Sequence, residues 1–166
     1  AAYQDKELNK NVTTWHSFVY GWYRSMFSNA PPTEPNDKWA YDWEKIRESM
    51  PGATINQLNN GLKQWKHLIL DEGQDFPVGF YKAAALYDGC LGEPAPMTVF
   101  ADENQRLDEV HNSTINQIRQ ALSIDAEDEE YQLTKNYRNT KQIAVVARHF
   151  YAGNPQGEPQ LPTKSG

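Results

Sequence analysis

An α/β fold, with a small parallel sheet flanked by helices, is predicted by two features of the chain. Two short apolar runs of strand character end abruptly in carboxylates and amides, and segments of helical periodicity lie between and around them. The runs are His67-Leu-Ile-Leu-Asp-Glu-Gly-Gln-Asp75 and Met97-Thr-Val-Phe-Ala-Asp-Glu-Asn-Gln105. Ligands of open parallel sheets bind at the carboxyl ends of the strands, so this fold class predicts that Asp71, Glu72, Asp102 and Gln105 share one end of the sheet.

In chain order, residues 13–28 carry Trp15, Phe18, Val19, Trp22, Tyr23, Met26 and Phe27 at helical spacing, and Thr13 or Thr14 can cap that helix. The aromatic stripe is foremost a core face. Residues 29–37, rich in Pro and Asn, predict a loop. Asp37 is expected to cap a second helix near 38–49, with Trp39, Trp43 and Ile46 inward, broken by Pro51-Gly52. A third helix near 54–65 shows Ile55, Leu58, Leu62 and Trp65. Strand 67–71 follows, then a helix near 77–88 that starts at Pro77 and ends at Gly89. Strand 97–101 delivers Asp102, and Ser113 is expected to cap a helix at 114–122. Residues 125–130 predict an acidic solvated turn and 131–135 another strand. Thr140 is expected to cap a helix near 141–152, with Ile143, Val146, Ala147 and Phe150 on one face, and the tail after Gly153 is expected to fray.

Composition sets bounds on function. The 166 residues suffice for one domain with a real core. No apolar stretch approaches a membrane span, and the polar amino terminus has no signal-peptide pattern. The single cysteine, Cys90, excludes an internal disulfide; it fits a reducing, cytoplasmic setting and a packing role at a helix end. A net charge of −6 argues against tight nucleic-acid binding by these residues alone, because neutralising phosphates takes clustered Lys and Arg. His67, His111 and His149 lack metal-ligand spacing.

A third block, Leu133-Thr-Lys-Asn-Tyr-Arg-Asn-Thr140, adds an aromatic and an arginine to the two acidic blocks. Asp71-Glu-Gly-Gln-Asp75 resembles the D-E-x-Q-D Walker B block of the UvrD/Rep-like superfamily 1 DNA helicases. Ala101-Asp-Glu-Asn-Gln105 resembles their G-D-x-x-Q block, with Ala101 in place of glycine, and Leu133-Thr-Lys-Asn-Tyr-Arg138 resembles their L-x-x-N-Y-R block. Thr14-Trp-His-Ser-Phe18 is a weaker match to their T-F-H-S/G segment. All four stand in the family's order. The resemblance implies part of a RecA-like (P-loop NTPase) domain over 1–135, with a helical insertion reduced to about 29–65. It also implies that 136–166 form the hinge, the first helix of the next domain and a flexible tail. The chain contains no G-x-x-x-x-G-K-[ST] phosphate loop, so it is expected to be the middle of a motor whose remaining domains lie outside it, and to be inactive in isolation.

The resemblance also implies roles. Asp71 and Glu72 would hold Mg²⁺, a hard cation that takes oxygen ligands. Glu72 would orient or deprotonate the attacking water. Gln105 would sense the γ-phosphate of ATP, Arg138 would offset charge in the transition state, and Tyr137 would stack on the adenine. Gln74 and Asp75 are expected to be supporting hydrogen-bonding groups. Thr14 and His16 are weaker candidates for nucleic-acid contact, the partner being single-stranded DNA, or RNA, in the full-length protein. Two departures qualify this. The short interval from His16 to Asp71 leaves little room for the family's duplex-engaging insertion. Asp108 and Val110 stand where family members carry base-stacking aromatics. They favour a second reading, a non-unwinding regulatory or defence-associated ATPase. A third reading is a metal-dependent nuclease using Asp71, Glu72 and Asp102.

Overall fold

The first helix, α1 (Trp15–Phe27), begins where Thr14 accepts a hydrogen bond from the Ser17 backbone N–H and ends at Ser28 in the left-handed region. A computed structural model gives the coordinates and describes residues 12–106, 108, 111–124, 131 and 141–148. The elements that follow are β1 (Thr33–Glu34), β2 (Asp37–Tyr41), α2 (Trp43–Ser49), α3 (Ile55–Trp65), β3 (Leu68–Leu70), α4 (Val78–Leu91), β4 (Met97–Val99), α5 (Ile115–Leu122) and α6 (Lys141–Arg148). The described residues are thus mixed α/β and mostly helical, with two two-stranded sheets among them: an antiparallel pair, β1–β2, and a parallel pair, β3–β4. Among the described residues no helix is long and apolar enough to cross a membrane. Two compact units emerge, Ala1–Leu70 with Gly79–Val99 and Asp71–Val78 with Phe100–Gly166.

The core of the first unit is aromatic. Trp22 of α1 meets Trp65 of α3 edge-on at 5.4 Å and Tyr87 of α4 edge-on at 5.2 Å, while Trp65 and Tyr87 stack at 5.6 Å. Such pairs add about 0.5–1.5 kcal/mol each beyond their area burial. Their polar ends are mostly matched: the Tyr87 hydroxyl donates to the Leu58 carbonyl at 2.7 Å, and the Trp65 indole donates to the Pro96 carbonyl at 3.1 Å. The Trp22 Nε1 is buried without a hydrogen-bond partner among the described residues. Gly61 is what lets the helices approach. A Cβ there would lie 2.8 Å from Met26 Cγ and 2.9 Å from the Tyr87 hydroxyl.

The parallel pair sits on this core. Leu68, Ile69 and Leu70 pair in register with Met97, Thr98 and Val99. Leu70 is buried, but Ile69 on the opposite face is 64% exposed, beside a His67–Thr98 side-chain hydrogen bond of 3.0 Å.

Several local expectations are corrected. The 29–37 loop and the helix from 38 become the β1–β2 hairpin followed by a shorter α2. Asp42, not Asp37, caps α2, accepting from the Lys45 N–H at 3.0 Å and from its ammonium at 2.6 Å. Asp37 instead accepts from the Trp39 N–H within the hairpin, and Trp39 is 72% exposed rather than core. The helix from Pro77 runs through Gly89 to Leu91, because Gly92 takes the φ of +80° that ends it. Ser113 is not a cap: Thr114 and Gln117 form a reciprocal capping box on α5. Ile143 and Val146, two of the residues expected on the apolar face of α6, are exposed, whereas Ala144 is buried. Tyr131 is exposed and outside any strand, while the acidic turn and the rest of the proposed 131–135 strand lie outside the described residues.

Two outcomes follow from the packing. Gly61→Ala should lower stability by about 1–3 kcal/mol, the usual cost of overpacking a filled core. Gly89→Ala, where a Cβ meets nothing within 4 Å, should raise it by about 0.5–1 kcal/mol. Urea melts of the two variants measure this, and equal effects would contradict the packing. Burial also pushes the Tyr87 hydroxyl up to about 12, and Tyr81 higher still. The native state therefore holds these protons where the unfolded chain releases them. Their contribution to stability is intact below the ordinary tyrosine value of 10.0 and falls as pH rises through about 12. Tyrosinate absorbance should consequently rise in two stages, the second coinciding with loss of the helical circular dichroism signal.

Candidate functional site

β3 and β4 run in the same direction, and their last paired residues are Leu70 and Val99. The chain therefore leaves both strands at a common carboxyl end and continues directly into the two acidic blocks. Asp71 begins the first block, and Phe100-Ala101-Asp102 opens the second. Both blocks belong to the second compact unit.

The first block turns sharply. Glu72 adopts φ 52° and ψ 49°, a left-handed conformation uncommon for a residue with a long side chain. Such a conformation costs on the order of 1–3 kcal/mol and persists only when its surroundings enforce it. The enforcement is visible. The Glu72 N–H donates to Asp71 Oδ1 at 3.2 Å, and a 3₁₀ turn, Gly73–Asp75, follows at once. The Gly73 N–H then donates to the Phe100 carbonyl at 2.7 Å, tying the first block to the second.

Gln74 completes the tie. Its side chain is 1% exposed. Its Nε2 donates to Glu72 Oε2 at 2.7 Å, its Oε1 accepts from the Asp102 N–H at 2.9 Å, and its carbonyl accepts from the Ser113 N–H at 2.8 Å. The amide orientation follows from its partners, since a carboxylate can only accept and a backbone N–H can only donate. Beyond Asp102 a second 3₁₀ turn, Glu103–Gln105, brings Gln105 Nε2 to 2.8 Å from Asp102 Oδ2, to which it donates. Glu72, Gln74, Asp102 and Gln105 thus form one hydrogen-bonded series across the two blocks.

Further bonds brace this arrangement. Asn112 Nδ2 donates to Asp75 Oδ1 at 2.9 Å, and the buried Ser113 hydroxyl donates to the Phe76 carbonyl at 2.6 Å. Asn112 and Ser113 carry no motif signal. Their only trace in the sequence is the Asn-Ser-Thr run, in which Thr114 already fills the cap and leaves the preceding serine available. Gln74 and Asp75 match their expected part as hydrogen-bonding supports.

The remaining candidates are placed as follows. Asp71 and Glu72 are exposed, and Gln105 is exposed beside Asp102. Tyr137, Arg138 and Val110 lie outside the described residues. Thr14 is occupied in capping α1. His16 Nε2 lies 3.3 Å from the Trp39 carbonyl, and the His16 carbonyl accepts from the Tyr41 hydroxyl at 2.9 Å, so this segment is fastened to the hairpin. Asp108 pairs with His111 at 2.7 Å. Among the described residues no three His, Cys, Asp or Glu side chains gather closely enough to hold a metal ion. The oxygen donors of Asp71 and Glu72 suit Mg²⁺ in its usual mode, in which one or two carboxylates supplement substrate phosphates and water.

No protein-family model, curated protein or solved structure matches the chain.

Replacing Gln74 by Glu should destabilise the second unit at neutral pH. The change removes the Nε2 donor and sets a buried carboxylate against Glu72, which lies 2.7 Å from that position. Breaking a buried hydrogen bond costs about 1–3 kcal/mol, and more where charge is involved. Acid protonates the new carboxyl and restores a donor. The deficit relative to the parent sequence should therefore shrink as pH falls, which thermal melts across an acidic-to-neutral series would show. A deficit that does not depend on pH would contradict the Glu72 contact.

Proposed function

We propose that this chain is part of the motor core of an ATP-dependent superfamily 1 DNA helicase or translocase, in which Asp71 and Glu72 form the Walker B pair. The observation that supports it most is the joining of the two acidic blocks, just beyond the common carboxyl end of a parallel strand pair, through the buried Gln74 amide.

The chemistry on this reading is positional. ATP brings the phosphoryl group to be transferred, and Mg²⁺ supplies the charge that offsets its oxygens. Asp71 helps hold the metal. Glu72, held by Gln74 on one carboxylate oxygen, has its other oxygen to accept a proton from an attacking water. Gln105 lies on the same series of hydrogen bonds and is the group expected to respond to the γ-phosphate. Tyr137 and Arg138 are proposed for adenine stacking and transition-state charge, and Thr14 and His16 for nucleic-acid contact. The phosphate loop comes from residues outside this chain on this reading. The exposed Ile69 is in keeping with a further covering layer on that face, because parallel sheets are ordinarily covered on both faces.

A second reading, a non-unwinding regulatory ATPase on the same fold, is favoured by one specific observation. At the position where the motors it resembles stack a base, Asp108 is engaged in a hydrogen bond with His111 at 2.7 Å. Stimulation of ATP hydrolysis by single-stranded DNA in the full-length protein separates the two. The nuclease reading needs Asp71, Glu72 and Asp102 around one ion, a gathering not found among the described residues.

Glu72→Gln in the full-length protein should abolish Mg²⁺-ATP hydrolysis while sparing nucleotide binding, because it removes a contact made mainly in the transition state. Arg138→Ala should slow turnover, and Tyr137→Ala should raise the ATP concentration required. Steady-state kinetics with direct nucleotide-binding measurements decide the matter, and near-normal turnover by Glu72→Gln would end the Walker B assignment.

A further inference from the structure

The geometry points to a stacking platform for single-stranded DNA where β2 meets α1, with Trp39 as its principal base-stacking residue and Tyr20 as its second. This rests on the DNA-motor reading above and deepens it by giving the strand a site, since Asp108 and Val110 supply no ring.

Trp39 is 72% exposed, the largest apolar side chain so placed among the described residues. Its backbone is nevertheless fastened on both sides. The Trp39 N–H donates to Asp37 Oδ1 at 2.9 Å, the Trp39 carbonyl lies 3.3 Å from His16 Nε2, and β2 pairs with β1. Tyr41, two residues on and therefore on the same face of the strand, donates its hydroxyl to the His16 carbonyl at 2.9 Å. The His16 ring in turn packs against Trp15 at 3.8 Å and Tyr41 at 5.7 Å. The exposed indole thus stands on a fixed support, and a base that stacks on it loses little affinity to ordering of the protein. On this reading His16 serves the strand by holding Trp39 in place.

Tyr20 lies one helical turn beyond His16 on the same side of α1 and is 42% exposed. Burial, and secondarily the nearby Tyr20, push the Tyr41 hydroxyl above its ordinary value, which sets Tyr20 beside the hairpin. Each exposed ring carries a cation. Lys38 Nζ is 5.4 Å from the centre of the Trp39 ring. The Arg24 guanidinium is 5.9 Å from that of Tyr20, whose hydroxyl accepts from Arg24 Nη1 at 3.3 Å. Both cations are on long, exposed side chains, able to pass from the ring to a phosphate when a base takes the ring face. Rings paired with cations suit a single strand, because every base has a face that stacks and every nucleotide a phosphate. A duplex keeps its base faces stacked on one another. The hairpin also carries two carboxylates, Glu34 and Asp37, and the chain has a net charge of −6. Stacking, and not phosphate neutralisation, therefore carries the grip.

The test measures binding of a labelled oligothymidine to the full-length protein by fluorescence anisotropy, over a series of salt concentrations. Trp39→Ala should weaken binding about fivefold to a hundredfold, the range for loss of one base–aromatic stack. It should leave the slope of affinity against salt unchanged, because no phosphate contact is lost. Trp39→Phe should recover most of the affinity. Lys38→Gln should instead make the slope shallower by about 0.7, the share of one phosphate on a single strand. Tyr20→Ala, expected to weaken binding in the same way as Trp39→Ala, keeps the proposal testable if that variant folds poorly. Unchanged affinity in folded Trp39→Ala, no recovery by Trp39→Phe, or an equal loss of affinity for a blunt duplex would overturn the platform. If the parent protein lacks Mg²⁺-ATP turnover while Trp39→Ala still weakens strand binding, the motor reading fails and the platform stands. A parent protein with neither turnover nor strand binding overturns both.

Discussion

A buried amide on Gln74 is the constraint on which the second unit is arranged. Its two side-chain bonds and one carbonyl bond reach Glu72, Asp102 and Ser113, residues drawn from three separate stretches of chain. Glutamine suits this position because it offers a donor and an acceptor on one planar group, and each end here meets the partner type it needs. A leucine would fill the space and leave polar groups unpaired. A glutamate would meet Glu72 with like charge. The left-handed backbone at Glu72 and the 3₁₀ turn after it are tolerable because this amide, and the Gly73–Phe100 bond beside it, hold the turn closed.

In the first unit, tight aromatic packing plays the equivalent part. Trp22, Trp65 and Tyr87 come from three different helices and meet within a few ångströms, and this needs a glycine at 61. The same packing orders the strands. Pro96 accepts both from the Trp65 indole and from the Leu68 backbone N–H, so the start of the parallel pair is fixed by a core side chain and a strand residue together. Register at that end determines where the strands finish, and thereby which residues open the acidic blocks.

The proposed motor function assembles these features into one account. Carboxylates presented at a strand end are chemically useful only when they are aimed and when something else brings the phosphates to them. On that proposal the chain supplies the aiming. It carries no phosphate loop of the G-x-x-x-x-G-K-[ST] type, and its acidic balance leaves phosphate neutralisation to other groups. The exposed Ile69 face and the Asp108–His111 pair bear on different parts of the proposal, the covering of the sheet and the manner of any single-strand grip.

The sequence by itself determined the α/β class, the positions of α1, α3, β3, β4 and α5 within a few residues, and the two acidic turns. These depend on local signals: helical periodicity, capping residues, and apolar runs ended by carboxylates. Only the tertiary structure decided the remainder. The hairpin at 33–41 replaced a predicted loop and helix because the bonds that decide the matter run to Asp37 and to His16, the latter distant in sequence. Helix α4 passed Gly89 because a glycine in a helix is merely unfavourable, whereas the positive φ at Gly92 ends it. Ser113 left its predicted cap for the Phe76 carbonyl, a partner that exists only once the chain has folded back. The linkage of Glu72 to Asp102 through Gln74 was beyond the reach of any motif, since hydrogen bonds between residues far apart in the chain leave no periodic or spacing signal.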